Sequence, residues 1–183
     1  TPMRPIDFLR QNLMFWHDLF GILCRGLTPE QLHWQPENHD STIMFALWHA
    51  IRSEDELVHG LIARRPSVFT AGGWAERLPV AKTGITPFGT GLDRAGVAAI
   101  RLDLSALLDY TAAVRDAVIA YVESLTDEQA SEPIPMPFFK EPYGFDSLTR
   151  IEALAFFCIG HTAEHLGEAQ MLRGLMGLKG ALL

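Results

Sequence analysis

Two histidines four residues apart carry the strongest chemical signal in this chain, in the stretch His161-Thr-Ala-Glu164-His165-Leu-Gly167-Glu168. On a helix that spacing stacks both imidazoles on one face, one turn above the other. Glu168 falls between them around the helix axis, one turn further on. It reads as a fourth ligand, as an acceptor that orients an imidazole, or as a general base. Ile151, Cys158, His165 and Leu172 recur every seven residues, interleaved with Leu154, His161, Glu168 and Leu175. The pair is therefore expected on the inward stripe of a bundle helix. Polar groups there cost free energy unless they find partners. Two kinds of partner would serve: a metal ion held by neutral imidazoles, or carboxylates and carbonyls of the core. A third ligand on another buried helix would tip the balance toward metal, and His49 is the best placed.

The remaining histidines fit that role less well. His59 lies about 80° from His49 around the same helix, at roughly 100° per residue, so both cannot face one ion. His17, between Trp16 and Phe20, reads as a core histidine, and His33 and His39 fall in loops. Glu164 sits off the shared face and reads as an edge residue, and Cys158 reads as a small core residue. His161-x-x-Glu164-His165 also spells the inverted zincin pattern. With no sheet in prospect to build a substrate cleft, that reading is set aside.

Four long helical segments must position these groups. The first runs from about Pro5 to Arg25, with Ile6, Leu9, Leu13, Trp16, Phe20 and Leu23 stepping by three and four. Thr28-Pro-Glu-Gln31 is a capping box on a short turn. The second long helix starts after Asp40-Ser41 and reaches about Arg65, where Pro66 cannot extend it. Its apolar face is Ile43, Ala46, Leu47, Ala50, Leu57 and Leu61, with His49 at the edge. From Ser67 to Ala99 glycines and prolines break every period, and a segment this long often carries function. Trp74 to Leu78 reads as one helical turn within it. The third long helix spans about Leu104 to Leu125 and faces inward with Leu104, Leu107, Leu108, Val114, Val118 and Tyr121. Thr126-Asp-Glu-Gln129 repeats the capping box. Four prolines between Pro133 and Gly144 predict extended chain, and Thr149-Arg-Ile-Glu152 caps the fourth long helix, which runs to about Gly174. Gly160, Gly167 and Gly174 lie along one edge of it, which predicts close approach of another backbone, or room for a ligand.

Composition bounds the function. The 183 residues suit one domain, 1–183, with a sizeable core. Hydrophobic residues make up 48% and charged residues 20%, which reads as a soluble globular chain. A net charge of -7 argues against nucleic acid or an anionic membrane as partner. No apolar run approaches a bilayer span. The N-terminal segment is amphipathic rather than a signal sequence. Two cysteines are too few for a disulfide framework, so a reducing cytoplasm is expected.

Trp48-His49-Ala-Ile-Arg-Ser-Glu54-Asp55, His161-x-x-x-His165-x-Gly167 running to Arg173, Leu27-Thr-Pro-Glu-Gln-Leu-His-Trp34 and Gly73-Trp74-Ala-Glu-Arg occur in that relative arrangement over most of the chain. Together they resemble the DinB-like (YfiT-like) superfamily of metal-binding four-helix bundles, in its Trp-rich branch. The resemblance implies an all-α, up-down-down-up four-helix bundle, with the Gly/Pro-rich segment as the crossover between helices two and three. It implies a metal triad of His49, His161 and His165. Glu168 stands where many relatives carry Gln, and is assigned a catalytic role as proton acceptor. The implied cofactor is a divalent metal ion, zinc first, with nickel, iron or manganese as alternatives. Characterised relatives include enzymes that use mycothiol or bacillithiol, so the implied activity is thiol transfer to an electrophilic substrate, or hydrolysis. Trp74 and Phe88 are expected in the pocket wall. The alternative is a non-catalytic metal-binding stress-response protein. Relatives are often homodimers, and the glycine edge would suit a partner helix.

Overall fold

The structure, a computed structural model, describes residues 3–80 and 83–180. Residues 81 and 82 of the predicted crossover, and the ends of the predicted 1–183 domain, lie outside the described residues. Helix α1, Pro5–Cys24, has proline in its first turn, where the missing N–H is no loss. Its buried side is Ile6, Leu9, Leu13, His17, Phe20 and Leu23, so His17 takes the inward position expected for Trp16. The short α2, Pro29–Leu32, is closed by the Thr28–Gln31 capping box. Helix α3, Ile43–Asp55, is capped by Thr42, whose hydroxyl accepts from the Phe45 N–H at 3.0 Å, rather than by Asp40 or Ser41.

A π turn, Glu56–Ile62, prolongs α3. The helix ends three residues before the predicted Arg65, because Arg64 adopts a left-handed backbone (φ 52°) and the Arg65 N–H turns back to the His59 carbonyl. The next segment is mostly irregular, with α4 at Val68–Ala71, a 3-10 turn at Trp74–Glu76 and α5 at Arg94–Ala98. Helix α6 spans Leu104–Glu123, and α7, Asp127–Ser131, carries the second capping box. The proline-rich connection forms a small antiparallel hairpin. Strand β1, Pro133–Pro135, pairs with β2, Ser147–Thr149, with Ile134 opposite Leu148. Between them lie a 3-10 turn, Pro137–Phe139, and α8, Lys140–Tyr143. The last long helix is α9, Arg150–Ala155, a π turn, Phe156–His161, and α10, Thr162–Leu175.

Helix α1 packs on α6 and α10, and α3 packs on the same two, so the four long helices enclose one core. The π turn changes the phase of the last helix. The buried positions run Leu154, Cys158, Thr162, Leu166, Ala169 and Leu172, stepping by four as far as Leu166 and by three beyond it. A π turn, with its i→i+5 bonds, lengthens the local repeat. His161, His165 and Glu168 therefore come to the half-buried edge of the stripe, and Leu175, expected inward, is exposed. The three glycines of this helix face solvent, and a Cβ on any of them would meet nothing within 4 Å. Among the described residues the backbone at Gly180 comes near one of the three, Gly174: a Cβ on Gly180 would lie 3.6 Å from the Gly174 Cα.

Helix α3 is buried around most of its circumference, including Arg52, Ser53, Glu54 and Asp55. Asp55 is the hub of a polar network. It accepts from the Tyr110 hydroxyl (2.6 Å), from His59 Nδ1 (2.6 Å) and from the backbone N–H groups of Val68 and Phe69 (both 2.8 Å). Burial alone would raise its pKa, but these hydrogen bonds outweigh burial and hold it below the usual aspartate value. Arg52 completes the network, donating to Glu56 (2.8 Å) and the Tyr110 oxygen (3.3 Å) and stacking 3.9 Å over Phe69. Asp55→Asn is expected to cost about 3 kcal/mol in urea unfolding at pH 7, because it removes a buried, fully engaged charge. A folded-state pKa below the unfolded one contributes stability that is present above the unfolded value and is lost as pH falls through the folded one. The gap in urea midpoint between wild type and variant should therefore narrow in acid. A gap of the same size at neutral and acid pH would contradict this.

Candidate metal centre

His49, His161 and His165 each offer a ring nitrogen, and the three nitrogens lie within 4.8 Å of one another. Among the described residues this is the one such group of histidine, cysteine or carboxylate side chains. His49 comes from the middle of α3. His161 closes the π turn and His165 lies one turn into α10, so the cluster spans the α3–α10 contact. Ring centroids are 4.5 Å apart for His161 and His165, 4.6 Å for His49 and His165, and 5.3 Å for His49 and His161.

The hydrogen bonds at the second nitrogens fix which atoms face inward. His49 Nδ1 lies 2.5 Å from the Phe88 carbonyl oxygen, which can only accept. That nitrogen therefore carries the proton, and Nε2 keeps its lone pair. His165 Nδ1 is 2.9 Å from Glu168 Oε2. Burial raises the Glu168 pKa, but bonds to His165 and Ser41 and the nearby His39 more than reverse this. The carboxylate is thus ionised and accepts the Nδ1 proton. His165 Nε2 is left facing His161 Nε2 at 3.2 Å. A carboxylate or carbonyl behind each imidazole is the arrangement that orients metal-binding histidines. His161 differs: its Nδ1 is buried without a protein partner.

Burial, then repulsion by His165, lowers the His49 pKa to about 4. Burial, then repulsion by His165 and His49, lowers that of His161 to about 3. Both rings are neutral at physiological pH, as ligands must be. The donor set thus fits a divalent cation: two lone pairs are aimed by hydrogen bonds, the third ring is neutral, and all three nitrogens converge.

The crossover does part of this aiming. Gly89 follows the carbonyl that holds His49 and has a left-handed backbone (φ 98°). A Cβ there would lie 2.7 Å from the Trp48 ring and 2.9 Å from the Phe45 ring. Only glycine lets this loop lie flat on α3. Phe88 stands near the histidines as expected, 5.9 Å from the His49 ring. Trp74 does not. It packs into the core against Tyr110, at 5.3 Å, with Arg77 stacked on it.

The other histidines are distributed as structural groups. His17 Nε2 meets Glu54 at 3.0 Å in the core, and His59 binds Asp55. His33, expected in a solvated loop, is half-buried: it donates from Nδ1 to the Pro29 carbonyl and accepts the Leu102 N–H at Nε2. Glu164 is exposed at the mouth of a cavity beside His49 and His161. Sequence reasoning missed both the Phe88 carbonyl and the aromatic wall of that cavity. A backbone acceptor leaves no mark in side-chain identity, although Gly89 beside an aromatic residue was a visible clue.

A helical bundle with three imidazoles converging from two of its core helices defines a class of proteins able to bind a metal. The chain belongs to the DinB superfamily, whose family profile matches residues 15–169. A solved structure described as a conserved protein of locus from Enterococcus faecalis superposes with a TM-score of 0.74 at 16% identity, over 94% of this chain and 99% of that one. That likeness concerns the fold alone. No curated protein matches the chain.

Three variants test the centre. Wild-type protein purified without a metal-affinity step is expected to bind one divalent ion per chain, and His161→Ala to lose it. Glu168→Gln should weaken metal affinity about 10–100-fold in a chelator competition, because the acceptor behind His165 loses its charge. Gly89→Ala should weaken it too, by displacing the Phe88 carbonyl. Metal content unchanged in His161→Ala would contradict the assignment.

Proposed function

We propose that this chain is a cytoplasmic, divalent-metal-dependent enzyme that transfers a low-molecular-weight thiol to an electrophile, with hydrolysis as the neighbouring chemistry at the same site. The observation that carries this reading is that the three-histidine cluster is open on one side. His49 and His161 line a cavity of about 560 Å³, within the range of small-molecule sites. Glu168 engages His165 Nδ1 and does not join the cluster, so the protein supplies three ligands rather than four. Three protein ligands with a free position mark catalytic sites, and four mark closed ones. This observation favours catalysis over metal storage.

A divalent ion held by His49, His161 and His165, zinc being the one that imidazole ligands suit first, would lower the pKa of a thiol or water at its free position. The protein's own contribution is positional. The Phe88 carbonyl and the Glu168 carboxylate hold His49 and His165 in one tautomer each. Glu168 thus acts on the site through His165: its negative charge offsets positive charge that develops on that ring, and its oxygen can accept the Nδ1 proton. The apolar walls of the cavity limit water around the reacting groups.

The up-down-down-up order of the helices belongs to this proposal. The chain between the π turn ending at Ile62 and α6 starting at Leu104 is long enough to run back along the bundle. The cellular setting is supported by Cys24 and Cys158, both free and buried. Among the described residues no helix is long and apolar enough to cross a membrane.

The test is a screen of low-molecular-weight thiols against electrophiles such as monochlorobimane or maleylpyruvate, with metal-loaded and metal-free protein side by side. At least one thiol should be consumed faster with loaded wild type than with His165→Ala. If none is, the transferase reading gives way to hydrolysis or to non-catalytic metal binding.

A further inference from the structure

The cavity beside the histidines has an aromatic wall that lies outside the sequence motifs named above. Phe138, Phe139 and Tyr143 come from the segment inside the β1–β2 hairpin, Phe156 and Phe157 from the π turn, and Phe88 from the crossover. Phe139 is the centre of the group. Its ring centroid lies 4.7 Å from Phe138, 4.8 Å from Phe156 and 5.2 Å from Tyr143. The first and last of these pairs meet edge to face, the arrangement that aromatic quadrupoles favour. The hairpin fastens this segment over the start of the last helix: Met136 N–H donates to the Asp146 carbonyl at 2.7 Å, and Arg150 N–H to the Glu132 carbonyl at 2.8 Å. The π turn presents Phe156, Phe157 and His161 to the same space.

Two features of this wall bear on what it takes. Phe138 is 49% exposed and Tyr143 58% exposed. Large aromatic side chains left in water at the mouth of a cavity gain from covering by an apolar body. The charge of the wall is the second feature. Glu164 is its one carboxylate, and among its described residues there is no lysine or arginine. Away from the histidine edge, where a bound ion would supply positive charge, an anion would meet no countercharge from these walls and would lose hydration.

We propose that this cavity selects an uncharged, flat aromatic or similarly apolar acceptor, seated between the hairpin aromatics and the His49–His161 edge of the cluster. The assignment deepens the transferase reading and takes the location of the chemistry from it. It narrows the electrophile to compounds whose body, where it lies against this wall, is neutral and aromatic or apolar. The aromatic rings hold the body of the acceptor, and its reactive carbon lies at the histidine end.

Binding and turnover separate this inference from the reading it rests on. The probes are N-phenyl-1-naphthylamine, neutral and fluorescent in apolar surroundings, and its sulfonated counterpart 1-anilinonaphthalene-8-sulfonate, titrated into metal-free protein, so that only the walls act on the sulfonate. The neutral probe is expected to bind at least about tenfold more tightly than the sulfonate, and to lose about tenfold in the double variant Phe138→Ser/Tyr143→Ser, which removes two exposed rings without emptying the core. Equal or tighter binding of the sulfonate, or unchanged neutral binding in the double variant, would overturn the inference even if thiol transfer is observed. Probe binding as described, with no thiol consumed, would leave the aromatic site standing and remove the transferase reading alone.

Discussion

The polar side chains in the last turn of α3 have almost no access to water, and the rest of the structure is arranged around that constraint. Arg52, Glu54 and Asp55 are 3%, 0% and 0% exposed. Burying polar groups of this kind is unfavourable unless they find partners, and the partners they have come from the surrounding elements. His17 on α1 and Thr162 at the start of α10 meet Glu54. Tyr110 on α6 and the first N–H groups of α4 meet Asp55. The Pro87 carbonyl of the crossover approaches Arg52. Hydrophobic packing among the four helices would tolerate small slips along their axes. These directed contacts would not, so α3 sets the register of its neighbours.

The three-histidine cluster inherits that register. His49 lies one to two turns from the buried ionic residues on the same helix, and Thr162 directly follows His161. The contact between α3 and α10 that anchors Glu54 is thus also the contact that brings the imidazoles together. The crossover adds a further link. Pro87 and Phe88 both turn carbonyls toward α3, one to Arg52 and the other to His49, and Gly89 makes the close approach possible. A segment with little regular structure is thereby fixed over the site by its backbone, which explains how so irregular a chain can orient a ligand.

Much of this was legible in the sequence, for reasons that can be named. Capping boxes at Thr28, Thr126 and Thr149 rely on contacts within one turn, and all three formed. The helical periods of α1 and α6 depend only on burial of one face and located both helices closely. The triad was readable because two ligands share a helix and the third adjoins a motif. What escaped depended on non-local backbone geometry. Neither π turn leaves a compositional signature, so the inward stripe of the last helix was read one phase off beyond it. Trp74 was expected in the pocket wall because it lies in the Gly/Pro-rich crossover, but after Gly73 (φ 65°) it packs into the core against Tyr110. The hairpin strands are three residues each, too short for an alternating pattern, and so the aromatic wall they carry went unseen.

The central claim is that three imidazole nitrogens converge on one divalent ion. X-ray absorption at the edge of the metal that the protein retains, zinc in the first instance, measures this directly. The account predicts a first shell containing three imidazole nitrogens at about 2.0–2.1 Å, with their characteristic outer-ring scattering, reduced to two in His49→Ala. A shell of oxygen atoms alone, or one unchanged in that variant, would contradict it.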